Sequence, residues 1–301
     1  MGSTTRHELV ATCWTSAGDV VPAAPDERSP LPLAERVRAV ADTGWVGLGL
    51  LHADLEALGA SCLGELADLL RREGLGHVEV ELLDGWWAGE DDHGWRTRWE
   101  LLLAAAGALG AAHVKVTPPP VEHTDDLVPR LRELAEEAGA VGTRLALEPL
   151  PWTAVASVPA GVELALAVDR PALGVCVDAW HVFRAGTSLE ELAAALERGG
   201  RAVVVAVELD DADPGVVGTL FEDTRDRRRY CGEGSFDLAG FVRVLRAAGF
   251  DGPWGVEALS AEHRAQPLRE GLVRARDTAL AVLAGSTDVE PAPAPPTTGP
   301  R

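Results

Sequence analysis

Lysine occurs only once in this chain of 301 residues, at Lys115, and methionine and tyrosine also occur once each. Basic residues are scarce altogether, 27 against 47 acidic ones, which leaves a net charge of −20. A surface that negative repels phosphate backbones and anionic bilayers, so neither nucleic acid nor membrane is an expected partner. Small anions stay open, because one pocket can be locally basic. Cysteine is sparse, and Cys13, Cys62, Cys176 and Cys231 include no C-x-x-C pair. Cys13 and Cys176 sit in apolar strand-like runs, where a free buried thiol is expected. No apolar run approaches about 18 residues, and the first ten residues hold no hydrophobic stretch of signal-peptide length. The expectation is a soluble, cytoplasmic protein.

What the chain does have is apolar content and alternation. At 47% hydrophobic residues it can bury a sizeable core, which excludes disorder of the whole chain. An α/β barrel commonly takes about 250 residues as one domain. β-prone runs fall at Glu8–Trp14, Trp45–Leu50, His77–Leu83, Ala112–Thr117, Arg144–Glu148, Leu173–Asp178, Val203–Leu209 and Trp254–Ala258. Between them lie runs of helical period, among them Leu33–Asp42, Leu55–Arg72, Arg98–Leu109, Leu127–Ala138, Leu189–Glu197 and Leu238–Ala248. Ser188 and Glu191 form a capping box, and Gly74, Gly139 and Gly249 stand just past helices. Eight strands alternating with helices predict a single (β/α)8 TIM barrel over residues 1–285. An open doubly wound sheet would need a glycine-rich phosphate turn after the first strand, and none is present. Residues 286–301, rich in proline, predict a disordered tail.

The informative pattern is the placement of acids relative to strands. Leu145-Ala-Leu-Glu148, Gly174-Val-Cys-Val-Asp178, Val203-Val-Val-Ala-Val-Glu208 and Trp254-Gly-Val-Glu257 each end an apolar run with a carboxylate. In a barrel, strands 5 to 8 would deliver all four to the C-terminal face, where active sites are built. Any one such acid is as readily a helix cap. Four in consecutive strands would repel one another unless a cation neutralised them, and all-oxygen ligation suits Mn2+ or Mg2+.

These segments resemble the xylose isomerase-like superfamily of sugar isomerases and epimerases, with hydroxypyruvate isomerase, ketose 3-epimerase and inosose dehydratase relatives. The resemblance is strongest from Leu145 to Ser260. Leu147-Glu148-Pro149 is similar to the family's first ligand motif. Asp178-Ala-Trp-His181 is similar to its aspartate ligand and substrate-binding histidine. Arg228, the Gly232-Glu-Gly234 loop, Gly249-Phe-Asp-Gly252 and Glu257 are similar to its later motifs. Strand 7 departs from the pattern: the family usually has histidine or glutamine where this chain has Glu208. Glu208 either completes an all-carboxylate shell or points aside.

The resemblance implies a metal site of Glu148, Asp178, Glu208 and Glu257, for Mn2+ or Mg2+ with Zn2+ and Co2+ as alternatives. It implies that Glu148 and Glu257 also move protons, and that His181 and Arg228 bind substrate. The implied activity is isomerisation or epimerisation of a small sugar, polyol or keto-sugar through α-proton abstraction and an enediolate. An inosose dehydratase-like lyase and a non-catalytic ligand-binding barrel are the alternatives. The superfamily's endonuclease branch needs a histidine-rich site and a basic groove, which the eight scattered histidines and the charge oppose. Members often pair, so a homodimer is the assembly the resemblance implies. Trp14, Trp86, Trp87, Trp152 and Trp180 are candidate pocket walls. His52, His113 and Lys115, on or beyond strands 2 and 4, are candidates to reach the pocket, with a structural role as the leading reading.

Overall fold

In the computed structural model, which describes residues 7–89, 93–123 and 126–286, eight parallel strands close into a barrel. They are β1 (Leu9–Ala11), β2 (Gly47–Leu51), β3 (His77–Leu83), β4 (His113–Val116), β5 (Leu145–Leu147), β6 (Leu173–Asp178), β7 (Val204–Leu209) and β8 (Trp254–Val256). Each pairs with its neighbour in sequence, and β8 closes onto β1 through Leu9–Trp254 and Ala11–Val256. The helices outside are α1 (Leu33–Asp42), α2 (Leu63–Glu73), α3 (His93–Leu109), α4 (Val128–Ala140), α5 (Val158–Val168), α6 (Leu189–Gly199), α7 (Leu238–Ala247) and α8 (Leu268–Gly285). This is a single (β/α)8 barrel.

Local departures have local causes. The first strand stops at Ala11, and Cys13–Ser16 turns helical. The helix expected over Leu55–Arg72 breaks at Gly59, whose φ of 80° no helix interior accepts, leaving His52–Leu58 as a separate short helix. Gly139 lies inside α4 rather than past it, and Gly142 takes the positive φ there. The capping box at Ser188 and Glu191 forms as expected. Ser286 is buried against the end of α8, so it belongs with the barrel. The rest of the expected tail lies outside the described residues. Among the described residues no helix is long and apolar enough to cross a membrane.

Strand alternation sorts the side chains into two sets. Val78, Val80, Val114, Val116, Leu145, Leu147, Val175, Val177, Val207 and Leu209 pack outward into the core shared with the helices. The opposite phase faces the barrel axis, and barrel interiors are usually filled there by Val, Ile and Leu. Here those positions carry Glu79, Glu81, His113, Lys115, Glu148, Asp178, Glu208 and Glu257, all buried. Small neighbours make the room: Ala146, Cys176 and Ala206 form a thin apolar layer. A Cβ at Gly49 would lie 2.5 Å from Glu81 Oε1, and one at Gly255 3.2 Å from Glu208 Cγ. Those two glycines let long acidic side chains lie across the axis.

Candidate active site

The four acids picked out by strand position come together. Asp178 ends β6 and is the register partner of Glu208 on β7, which is in turn the partner of Gly255 on β8. Glu148 and Glu257 immediately follow β5 and β8. One carboxylate oxygen from each of the four lies within 4.8 Å of those of the others. All four residues are buried. The helix-cap role is real as well, but for Asp178 only: its Oδ1 accepts from the His181 backbone N–H at 2.8 Å and caps Ala179–Arg184.

Two cations are built into this cluster. Lys115, for which the sequence favours a structural role, reaches inward from β4. Its Nζ lies 2.5 Å from Glu208, 2.9 Å from Glu81, 3.6 Å from Glu257 and 3.8 Å from Glu148. Arg228 is buried as well. A two-residue ladder, Asp211–Ala212 against Arg228–Arg229, holds it in place, and its backbone N–H donates to Leu259. Its guanidinium donates to Asp178 at 2.7 Å and to Asp210, pairs with Glu257 at 2.9 Å, and reaches Thr224. Asp210 and Glu81 are therefore site residues that the sequence reading missed. Glu81 Oε1 also accepts from the Cys13 backbone N–H at 3.3 Å.

His181 stands beside Glu148, its Nε2 3.5 Å from Oε1, and its Nδ1 is buried without a partner among the described residues. Trp152 and Trp180 meet its ring edge-on at 5.7 and 5.2 Å. Of the other candidate wall residues, Trp86 is buried with its indole donating to Thr117, and Trp14 packs with Cys13 and Leu51. The Gly232 and Gly234 N–H groups both donate to Asp211 Oδ2 at 3.0 Å, so that loop folds around a carboxylate rather than cradling a phosphate. His52 pairs with Glu27 and Glu56, away from this cluster.

The electrostatics separate acids that look alike in sequence. Burial alone would raise the Glu148 carboxyl, but Lys115, the His181 hydrogen bond and Arg228 outweigh it and hold Glu148 well below the usual range. Asp178 is likewise lowered, burial being overcome by Arg228 and His181. Glu257 is pushed up to about 7, by burial and by the charges of Glu148 and Asp178, against the pull of Arg228 and Lys115. Burial and the Glu257 charge push Glu208 well up, and burial does the same for Asp210. Six buried carboxyls (Glu81, Glu148, Asp178, Glu208, Asp210 and Glu257) thus share two permanent cations, Lys115 and Arg228. Asp210 Oδ1 has no hydrogen-bond partner among the described residues. A hard divalent cation fits that surplus of oxygen and negative charge. The surplus is otherwise met by retained protons.

A family model described as a xylose isomerase-like TIM barrel matches residues 37–278. The chain belongs to that family. A 3-dehydroshikimate dehydratase of Pseudomonas putida is 33% identical over 145 residues, 48% of this chain and 22% of that protein. An inosose isomerase of Bacillus subtilis is 26% identical over 155 residues, 51% of this chain and 53% of that protein. The matched stretches thus span about half of the isomerase and less of the dehydratase. Among solved structures, an IOLI protein with a bound zinc atom has a TM-score of 0.76 at 20% identity, covering 93% of this chain and 99% of that one. A D-psicose 3-epimerase has a TM-score of 0.68 at 12% identity, covering 92% and 100%. At such identities the two structures speak for the fold. The family and these relatives are enzymes named as isomerases, epimerases and dehydratases.

Proposed function

We propose that this barrel isomerises or epimerises a small polyhydroxylated carbonyl compound, a sugar, polyol-derived ketone or keto-sugar. In this reading Glu148, Asp178, Glu208 and Glu257 hold a divalent ion, Mn2+ or Mg2+. The observation that carries it is the convergence of four buried carboxyls, Glu148, Asp178, Glu208 and Glu257, one oxygen of each lying within 4.8 Å of the others beside Lys115 and Arg228. Their surroundings also differ, lowering Glu148 and raising Glu257. Groups whose environments drive their affinities for protons apart are suited to act as base and acid. Glu148 takes the proton from the carbon next to the carbonyl, and the electron pair left behind delocalises onto the carbonyl oxygen as an enediolate. Glu257 returns a proton to the neighbouring carbon, or to the opposite face of the same carbon. A bound divalent ion supplies Lewis-acid polarisation. Arg228 and Lys115 are preorganised cations where negative charge develops, and burial raises their worth. His181 reaches a substrate oxygen from beside Glu148, under the edges of Trp152 and Trp180.

Dehydration is the second reading, favoured by the likeness to 3-dehydroshikimate dehydratases. It shares the first step, after which a β-hydroxyl leaves as water with the proton from Glu257. Incubation of candidate ketoses, inososes and dehydroshikimate in D2O with Mn2+, followed by proton NMR, separates the two. Deuterium at the α-carbon of an isomer supports the first, and an alkene signal the second. Absence of both α-exchange and product for every substrate that binds would refute proton abstraction altogether.

A further inference from the structure

We propose that the N-terminal half of the barrel interior holds a second cation site, for a transition-metal ion such as Zn2+, formed by His77, Glu79 and His113. It is separate from the reading above and depends on none of the upper carboxylates. His77 and Glu79 are two residues apart on β3 and face the axis together, and His113 on β4 is the register partner of Glu79. One donor atom from each of the three lies within 4.8 Å of the others. His77 Nε2 is already 3.2 Å from Glu79 Oε1, and the two imidazole centres are 6.5 Å apart.

His113 supplies the second observation. It is 1% exposed, yet neither ring nitrogen has a partner among the described residues. Buried polar atoms are nearly always paired, and an orphan costs about 1–3 kcal/mol. Both nitrogens sit on the side chain aimed into this cluster. Glu79, also buried, brings a negative charge, while the ammonium of Lys115 is engaged by the four acids above.

The donor chemistry differs from the upper site. Two imidazoles and one carboxylate suit a borderline ion bound at about 2.0–2.2 Å, with water completing the shell, whereas the upper acids offer oxygen alone. Closing the donors onto one ion asks for side-chain shifts of about 1 Å, within the reach of small torsional changes. His77 keeps 22% of its side chain exposed, which gives the ion a way in. An ion there would clamp β3 to β4 at the face of the barrel associated with stability rather than catalysis.

The test is zinc titration of the metal-free protein, read by imidazole 15N NMR, by zinc retained after gel filtration and by Tm. Variants are His77→Gln, His113→Gln and the upper-site pair Glu148→Gln/Asp178→Asn. The proposal expects the His77 and His113 nitrogens to shift on zinc addition in the wild type. It expects zinc to persist in the upper-site pair, and His77→Gln to weaken it by more than about tenfold. Because His77 is partly exposed, its variant keeps the test open if His113→Gln fails to fold. Unshifted His77 and His113 nitrogens, or undiminished zinc retention when His77→Gln is added to the upper-site pair, would overturn it. Failure of the upper site alone shows instead as zinc binding that the upper-site pair leaves untouched.

Discussion

Methionine at position 115 would keep an unbranched stem of similar length and remove the charge that Glu81, Glu148, Glu208 and Glu257 share. The shortest contacts, 2.5 Å to Glu208 and 2.9 Å to Glu81, are made in a site closed to water. Stripping one partner from a buried ion pair costs about 3–5 kcal/mol. Sharing among four acids pushes towards the upper end. Uptake of protons by Glu208 and Glu257 pulls back, because a neutral carboxyl needs no counter-charge. Lys115→Met is therefore expected to lose about 3–4 kcal/mol at pH 7 and roughly 10 °C in Tm. The double variant Lys115→Met/Glu208→Gln removes both members of the closest pair and should regain half or more of that loss. The penalty should also shrink between pH 7 and pH 5. Both carboxyls have folded values above the unfolded value of 4.5, so falling pH protonates them and removes the need for the ammonium. Urea unfolding of metal-free protein at the two pH values measures each quantity. A Lys115→Met protein within about 0.5 kcal/mol of wild type at pH 7, the range of an ordinary surface change, refutes the reasoning. So does a penalty that grows as pH falls.

The barrel was legible because its strands are apolar runs with one residue type out of pattern at the end. Glu148, Asp178, Glu208 and Glu257 stood out for that reason, and the same backbone phase that made them visible carries them to one mouth. Lys115 broke the same pattern on β4, but a single cation within an apolar run has no partner in sequence. Only the period-two phase, shared by His113 and Lys115 on β4 and by Ala146 on β5 and Glu148 just after it, puts it on the axis. Arg228 stands in the run Arg225-Asp-Arg-Arg-Arg229, whose uniform composition does not mark which arginine is buried. The ladder with Asp211–Ala212 selects one arginine for burial and leaves Arg227 and Arg229 pairing with Asp213. The acids Glu208, Asp210 and Asp211 divide in the same way: one faces the axis, one meets Arg228, and one gathers the glycine loop. Backbone geometry decides such partitions, and composition carries no trace of it.

Glu148→Gln should fold normally and lower turnover by about 10²–10⁴, the usual contribution of a positioned proton carrier, as read by α-deuterium exchange. Arg228→Lys keeps the charge but loses the planar fork that spans Asp178, Asp210 and Glu257, and should raise KM by about tenfold or lower Tm by several degrees. Gly255→Ala puts a methyl 2.7 Å from the Val207 carbonyl oxygen and 3.2 Å from Glu208 Cγ, and should cost about 1–3 kcal/mol in urea unfolding. The last expectation links the upper site to pH. Glu257 has a folded value of about 7 against an ordinary 4.5, so its protonated form favours the metal-free fold. That contribution is complete below pH 4.5 and is lost as pH rises through 7. A divalent ion needs the carboxylate, so binding at pH 6 must expel the proton, and affinity should climb as pH rises through 7. Calorimetric titration with Mn2+ in buffers of different ionisation enthalpy counts the protons released. About one or more per ion at pH 6, and fewer at pH 8, is the expected result. Binding that releases no proton at pH 6 means that Glu257 is already ionised in the metal-free fold, and the upward push ascribed to its burial and to Glu148 and Asp178 is refuted.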